Sequence, residues 1–265
     1  MTKKYIGVDL GAWLSKKTSI AVIIKNKDKI ILEKVEHEPL SKSYTYLERD
    51  AALVELLKTL ADNSAVIAID APFSIPSALK MKTEKELYKF TNKLSKNYNQ
   101  IKNPYLFDNS ARFVLDTVDE VVLAPCATLI GAYTARMAHI FSNETYTSIL
   151  NPITSPNLEE QNNSINTIEV YPRATLKVLL KMKEIPQYKK SSKNFKEKKE
   201  KMIELIKDIV EISDEIKNKI KTDDDYDAVI CALTAYLVSQ DDGYEKPDNP
   251  ELFTNSFIYI PKIKN

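Results

Sequence analysis

Apolar residues in the first part of the chain recur in the pattern of short β-strands. Residues 4–9, 18–25 and 29–35 are runs rich in β-branched and aromatic side chains, and the short polar segment 26–28 separates the last two. Two such runs joined by a short polar turn are typical of a hairpin. The opening of the chain therefore predicts a meander of three antiparallel strands.

One helix and a fourth strand follow the meander. The helix is indicated by leucines with the i, i+3, i+4, i+7 spacing of a single helix face. They are Leu53, Leu56, Leu57 and Leu60. The β-branched run 65–70 ends at Asp-Ala-Pro, which stops a strand, and we expect it to lie parallel to the first strand. This order predicts an α/β fold with a mixed sheet, and it is similar to the ribonuclease H-like arrangement, whose first strand lies centrally beside the fourth.

Residues 73–165 interrupt this order and are interpreted as a mainly helical insertion within a single domain that spans 1–265. Segments 82–94 and 127–141 have helical patterns, whereas 145–167 is rich in Asn, Ser and Pro and is predicted to be a loop. Strand and helix patterns return after it. They predict a strand at 168–172, helices at about 174–182, 195–218 and 224–239, and an edge strand at 257–261.

Composition excludes several classes of site. The chain has 265 residues, 43% of them hydrophobic, and a net charge of +1, so its overall field neither attracts nor repels nucleic acid. Cys126 and Cys231 lie in apolar runs and are interpreted as reduced core residues. With two isolated histidines, His37 and His139, the sequence has no zinc-site spacing, so a bound metal is expected to be hard and oxygen-ligated.

The chain is expected to be cytoplasmic and to have no membrane partner. It runs straight into a strand at its start, without the pattern of a signal peptide. Its longest apolar run, 121–133, contains Pro125 and is too short to cross a bilayer. The oligomeric state is left open, a homodimer included.

Acidic residues end two of the predicted strands and begin the last apolar helix. Asp9 and Asp70 close strands, and Asp223, Asp224 and Asp227 stand at the start of that helix. Asp at a strand end before Pro is common turn chemistry, and Asp223 or Asp224 could simply be a helix N-cap. If the strand ends and the helix start converge, however, the carboxylates form a cluster.

A carboxylate cluster of this kind calls for a divalent cation. Each pair of like charges about 5 Å apart costs roughly 3 kcal/mol at an effective dielectric near 20. Mg²⁺ or Mn²⁺ would relieve that repulsion, and two such ions could activate a water and stabilise the leaving oxygen of a phosphodiester. Asp224 and Asp227 are i, i+3 and share a helix face, Asp223 and Asp227 are the competing pair, and Ala228 lets the helix approach the central strand.

Several short strings, taken as a set, resemble one protein family. They are IGVDLG at 6–11, AIDAPFS at 68–74, RFVLDTVDE at 112–120, IEVYPRATLKVL at 168–179 and DDYDAVICALTA at 224–235. The family is that of domain of unknown function 429, described as predicted nucleases of the ribonuclease H-like fold. The D-x-x-D-A string at 224–228 is also similar to one in Holliday-junction resolvases.

The resemblance implies roles for individual residues. Asp9 and Asp70 would be the strand carboxylates and Asp227 the helix ligand, with Asp224 beside it as a catalytic and metal-binding neighbour. Glu169 matches an acid of the family's E-x-x-P string, as a catalytic ligand or as an acceptor for Arg112 or Arg173. The cofactor implied is Mg²⁺ or Mn²⁺, and the partner is DNA or RNA.

Basic residues near the acids are candidates for substrate contacts. Segment 181–201 has nine lysines against three glutamates, so it could hold a phosphate backbone or be a solvated helix face. Arg112 and Asp116 could pair as i, i+4, or Arg112 could reach a phosphate. The candidate substrate-binding residues are Arg112, Arg173, Lys189, Lys190 and Lys193.

Three functions compete on the sequence alone. The leading hypothesis is a metal-dependent phosphodiester hydrolase, a nuclease with a two-metal mechanism. The first alternative is an ATPase or phosphotransferase of the actin-like fold. Such enzymes need several glycine-rich phosphate loops, but the chain has only four glycines, and none stands directly after Asp70, where a second loop would be expected. The second alternative is a non-catalytic protein that binds nucleic acid or a partner.

Overall fold

The computed structural model describes ten stretches of the chain. They are residues 3–12, 18–39, 45–62, 64–75, 108–127, 130–158, 165–181, 184–189, 192–253 and 255–262. The strands are β1 (Lys4–Asp9), β2 (Ser19–Asn26), β3 (Lys29–His37), β4 (Val66–Asp70), β5 (Leu150–Ile153), β6 (Ile165–Val170) and β7 (Ile258–Tyr259). The α-helices are α1 (Tyr46–Leu60), α2 (Asn109–Val118), α3 (Gly131–Ser142), α4 (Glu144–Thr147), α5 (Pro172–Leu179), α6 (Ser192–Glu204), α7 (Asp214–Lys219) and α8 (Asp223–Val238).

The seven strands of the described residues belong to one mixed sheet in the order β3-β2-β1-β4-β6-β5, and β7 also pairs with β6. The first three strands are antiparallel neighbours, while β4, β6, β5 and β7 pair in parallel. The predicted mixed sheet, antiparallel and then parallel, is confirmed, and so is the central place of β1 beside β4. The expected helix at 82–94 lies outside the described residues.

Two predicted segments differ from the structure. The predicted loop 145–167 contains α4 and the edge strand β5, since Leu150 and Ile153 are buried against the sheet. Pro152 is tolerated there because an edge strand leaves one row of its backbone groups unpaired. The loop prediction was wrong because Asn and Pro outweighed two apolar residues in a short strand.

The predicted helix at about 195–218 is instead two helices, α6 and α7, with a turn segment between them. In that segment Glu211 bonds to the free edge of β3: its N–H donates to Ile30 O at 2.8 Å, and Leu32 N donates to Glu211 O at 3.0 Å. The helical conformation is interrupted between α6 and α7 because these two hydrogen bonds satisfy backbone groups of the edge strand β3.

Helix α8 lies across the middle of the sheet and packs on β1, β2 and β4. It has almost no polar face beyond its first turn, and twelve of its sixteen residues are buried. Gly7 permits the close approach, since a Cβ on it would stand 2.0 Å from Ala228 O and 2.1 Å from Ala232 N. The expected close packing of Ala228 on the central strand is thus observed.

Alternation along the strands divides the core between the two faces of the sheet. Tyr5, Ala68 and Ile168 pack with α8 on one face, and Ile6 and Ile67 pack with α1 and α3 on the other. None of the described helices is long and apolar enough to cross a membrane.

Candidate functional site

Asp9 and Asp70 end neighbouring parallel strands. They are register partners in the β1–β4 pairing, so their side chains leave the sheet side by side and on the same face. That face is the one covered by α8, because the alternation places them with Gly7 and Ala68. Two carboxylates are therefore brought together by strand register alone.

The first turn of α8 brings further acids over these strand ends. Thr222 is the N-cap and forms a capping box with Asp225, so neither Asp223 nor Asp224 is the cap. Asp225 is instead buried, accepting from Ser19 Oγ at 2.9 Å and bonding His37 Nε2 at 2.7 Å. Sequence reasoning overlooked Asp225, although a Thr followed three residues later by an acid is the signal of a capping box.

Asp227 lies one turn into α8 and is 2% exposed. Its Oδ1 accepts a hydrogen bond of 2.6 Å from the hydroxyl of Tyr188. Its Oδ2 forms an ion pair with Lys189 Nζ. Both partners come from the segment just before α6, so a stretch of backbone outside the sheet fixes the orientation of this carboxylate.

A cavity of about 590 Å³ opens where the strand ends meet α8. Its charged lining residues come from β1, β4, β6, α5, α8 and the segment before α6, and they are Asp9, Asp70, Glu169, Arg173, Lys189, Asp223, Asp224 and Asp227. Apolar and aromatic residues form the rest of the wall, among them Val121, Leu123, Ile130, Tyr133 and Tyr171. The four acids predicted to bind metal, Asp9, Asp70, Asp224 and Asp227, thus all line one cavity.

The acids at this cavity raise one another's proton affinity. Burial, followed by the charges of Asp227 and Asp70, raises the pKa of Asp9 well above its ordinary value. Burial is also the main cause that raises the pKa of Asp70 to about 7, with Asp227 adding to the rise and Lys189 opposing it. The described protein groups therefore do not fully neutralise these carboxylates, and further positive charge in the cavity would stabilise their ionised forms.

Lys189 supplies one positive charge to this cluster. Burial alone lowers the pKa of an ammonium group, but the charges of Asp227 and Asp70 outweigh it and raise the pKa of Lys189. The lysine is thus held as a cation and acts as counterion to Asp227. In this conformation, no group of three or more His, Cys, Asp or Glu side chains within the described ranges is arranged to hold a metal ion.

Glu169 lies on the other side of the sheet from Asp70. It is the register partner of Ile69, so its side chain leaves the opposite face, although it also lines part of the cavity. Its Oε2 accepts from Phe73 N at 3.1 Å and from Ser256 Oγ at 3.0 Å. Burial, and then the charge of Asp108, raises the pKa of Glu169 to about 8.

The remaining basic candidates are spread over different environments. Arg173 is at the cavity and donates from Nε to Glu120 at 2.8 Å. Arg112 is 2% exposed in α2, and its terminal nitrogens have no hydrogen-bond partner among the residues described. Lys190 and the side chain of Lys193 lie outside the described part of the chain.

A buried ion network supports the loop after β1. Arg136 is 0% exposed and donates to Glu38 Oε1, to Asp50 Oδ1 and to the carbonyl oxygen of Gly11 at 2.7, 2.7 and 2.6 Å. The side chain of Thr18 joins it, accepting from Gly11 N at 3.1 Å. No local sequence pattern signals the partners of Arg136, because Gly11, Glu38 and Asp50 are distant from it along the chain.

Comparisons with known proteins identify a family and nothing closer. A family model described as "Protein of unknown function (DUF429)" matches residues 7–252. The resemblance inferred from the sequence strings is thereby confirmed. No curated protein and no solved structure matches the chain.

Proposed function

The chain belongs to the DUF429 family of proteins of unknown function, and we propose that it is a metal-dependent phosphodiester hydrolase, a nuclease that acts on DNA or RNA. The single observation that carries this proposal is the meeting of Asp9, Asp70 and Asp227 at one cavity. The sequence separation of these residues makes their meeting a property of the fold. Carboxylate oxygens, here two at the ends of parallel strands and one on a helix, are donors that Mg²⁺ and Mn²⁺ prefer.

The proposal includes a ribonuclease H-like assignment of the fold. Its support is the strand order β3-β2-β1-β4-β6, with β1 central and β4 and β6 parallel to it. Residues 1–265 are treated as one such domain, with 73–165 inserted between β4 and β6. Fold alone does not fix activity, so the weight of the proposal rests on the carboxylates.

The donor chemistry of the cavity fits a divalent ion. Asp9, Asp70 and Asp227 would hold it, with Asp224 beside them, and their mutual repulsion is the force that such an ion relieves. Metal ligation requires these carboxylates to turn toward a common point and Lys189 to release Asp227. A pair of bound Mg²⁺ or Mn²⁺ ions would supply a water of lowered pKa and charge stabilisation at the leaving oxygen.

The protein's own residues position the reacting groups. The hydroxyl of Tyr188 holds one oxygen of Asp227 and thereby fixes the rotamer of that carboxylate. Lys189, once it leaves Asp227, is a cation within reach of a bound phosphate, and Arg173 contributes a second at the cavity wall. Glu169 keeps its proton at neutral pH, since its pKa is raised to about 8, and it orders the backbone after β4 by accepting from Phe73 N.

Cleavage assays test the proposal directly. Purified protein should cut at least one member of a panel of single-stranded, duplex, hybrid and branched nucleic acids in Mn²⁺ or Mg²⁺. Asp9→Asn should abolish cleavage because it removes a metal ligand. Asp28→Asn is the matched control, since Asp28 is exposed in the β2–β3 turn, and it should cleave as the wild type does. A panel left intact in both metals contradicts the proposal.

Thermal melting gives a second readout that needs no substrate. A divalent ion that binds the native cluster raises the melting temperature by mass action. We expect Mn²⁺ to raise the midpoint of the wild type and not that of Asp227→Asn. A rise with ATP and none with Mn²⁺ alone would favour the phosphotransferase alternative.

A further inference from the structure

The cavity has an apolar wall that metal-dependent hydrolysis does not by itself require. Val121 and Leu123 follow α2 and are 39% and 51% exposed, although both line the cavity. Ile130 and Tyr133, at the start of α3, continue this wall. Exposed apolar side chains beside a concave, charged site are typical of a ligand-binding surface.

Two aromatic rings and two cations lie along the same cavity. Tyr133 and Tyr171 supply the rings, and Arg173 and Lys189 supply the positive charge. Burial, and then the charge of Asp70, raises the pKa of Tyr171 to about 12, so its phenol is neutral and able to donate. Rings and apolar walls bind the planar faces of bases, while cations bind phosphate.

The dimensions of the cavity favour a single nucleotide. A volume of about 590 Å³ is in the range of cavities that enclose most of a drug-sized ligand, which is the size of one nucleotide. A base inside a duplex is stacked and paired, so its faces are not available to a protein wall. The exposed apolar side chains Val121 and Leu123 can therefore contact the face of a base only where that base is unpaired and unstacked.

We propose that the wall formed by Val121, Leu123 and Tyr133 is a subsite for the base of an unpaired nucleotide, so that the protein acts on single-stranded nucleic acid or on unpaired strand ends. The inference rests on the proposed function for one point, namely that the phosphodiester next to this base lies at Asp9, Asp70 and Asp227. It adds the class of substrate and the residues that select it.

Binding measurements test the subsite without relying on cleavage. The probe is a fluorescein-labelled single-stranded hexanucleotide, followed by fluorescence anisotropy in Ca²⁺, with its integrity checked on a gel. Wild type should bind it about tenfold or more tightly than a duplex of the same sequence, because only the single strand offers base faces. Unlabelled hexanucleotide and a mononucleotide compete for the site, and the hexanucleotide should compete at the lower concentration.

A matched pair of variants locates the contact. Leu123→Asp puts a charge into the wall and should weaken hexanucleotide binding by about tenfold or more, since it replaces an apolar base contact with a like charge facing the phosphates. Leu47→Asp makes the same exchange on α1, at a leucine that is 62% exposed and outside the cavity lining. It should leave the affinity for the hexanucleotide within about twofold of wild type, which is a negligible change in binding free energy.

The results that overturn the inference differ from those that overturn the proposed function. Equal or tighter binding of the duplex, unchanged binding by Leu123→Asp, or no binding of any nucleic acid refutes the base subsite. A mononucleotide that competes as well as the hexanucleotide assigns the pocket to free nucleotides and refutes a strand as substrate. If the single strand binds and Leu123→Asp weakens that binding, but no cleavage occurs in Mg²⁺ or Mn²⁺, the subsite is supported and the proposed hydrolase activity is refuted.

Discussion

Arg136 donates a hydrogen bond of 2.6 Å from Nη1 to the carbonyl oxygen of Gly11, two residues beyond Asp9. The same guanidinium also pairs with Glu38 and Asp50, and all three side chains are completely buried. Removing one partner from such a network leaves uncompensated charge in the interior. A buried charge network on the face of the sheet that carries α1 and α3 therefore supports the carboxylate site, which lies on the opposite face.

Arg136→Met should destabilise the protein strongly. It leaves the carboxylates of Glu38 and Asp50 buried without their main cation, which costs about 3–5 kcal/mol in comparable cases. Urea unfolding measures the change. Arg173→Met is the control: Arg173 is 32% exposed in its side chain and pairs with Glu120, so its loss should cost about 1 kcal/mol or less. Equal losses for the two variants would contradict the view that burial sets the cost.

Gly7→Ala should also be poorly tolerated, because one methyl group would overlap the backbone of α8. The new Cβ would lie 2.0 Å from Ala228 O, so the helix that carries Asp227 must move away from β1. Overpacking of this kind costs about 1–3 kcal/mol and more when backbone must shift.

Gly131→Ala is the matched control for that substitution. A Cβ at Gly131 would meet nothing within 4 Å, and alanine favours a helix over glycine. Thermal melting should show a large fall for Gly7→Ala and no fall for Gly131→Ala. A melting temperature for Gly7→Ala equal to that of wild type would show that α8 does not pack as closely as described.

Lys189→Gln should strengthen the stabilisation that Mn²⁺ provides. The ammonium group of Lys189 competes with a metal ion for Asp227, and glutamine removes that competing charge. The rise in melting temperature on adding Mn²⁺ should therefore be larger in the variant than in wild type. Lys58→Gln, at an exposed lysine of α1, should show the wild-type rise. A smaller rise in Lys189→Gln would mean that the lysine assists metal binding.

Glu169 should make stability depend on pH in a defined window. The pKa of Glu169 is raised from an ordinary value of 4.5 to about 8 in the folded protein, mainly by burial. The folded state thus holds a proton that the unfolded state has released between these values, so this residue's contribution falls as pH rises from about 4.5 to about 8.

Glu169→Gln removes this titration while keeping the two acceptor contacts, to Phe73 N and Ser256 Oγ. The difference in unfolding free energy between variant and wild type should grow with pH across that window, on the order of a few kcal/mol in total. Urea denaturation at pH 5 and pH 8 measures it. A difference that is the same at both pH values would place the pKa of Glu169 near its ordinary value.

Features fixed by local periodicity could be predicted from the sequence. The β1–β3 meander, β4 and α8 were found because alternating or continuous apolar runs reflect burial directly. The acids Asp9 and Asp70 were found because each ends such a run. Strand β5 was missed because Asn and Pro outweigh the two apolar residues of this short strand. The break between α6 and α7 was missed because it depends on pairing with the edge of β3, a strand far away in the sequence.

By itself, then, the amino-acid sequence determined the β1–β3 meander, β4, α8 and the acids at the ends of these elements, because those features depend on neighbours a few residues apart. Only the tertiary structure decided that Lys189 and Tyr188 contact Asp227, that Glu169 lies across the sheet from Asp70, and that Arg136 supports Gly11. These contacts join residues separated by up to 125 positions. They depend on strand register and helix packing, which no local pattern encodes.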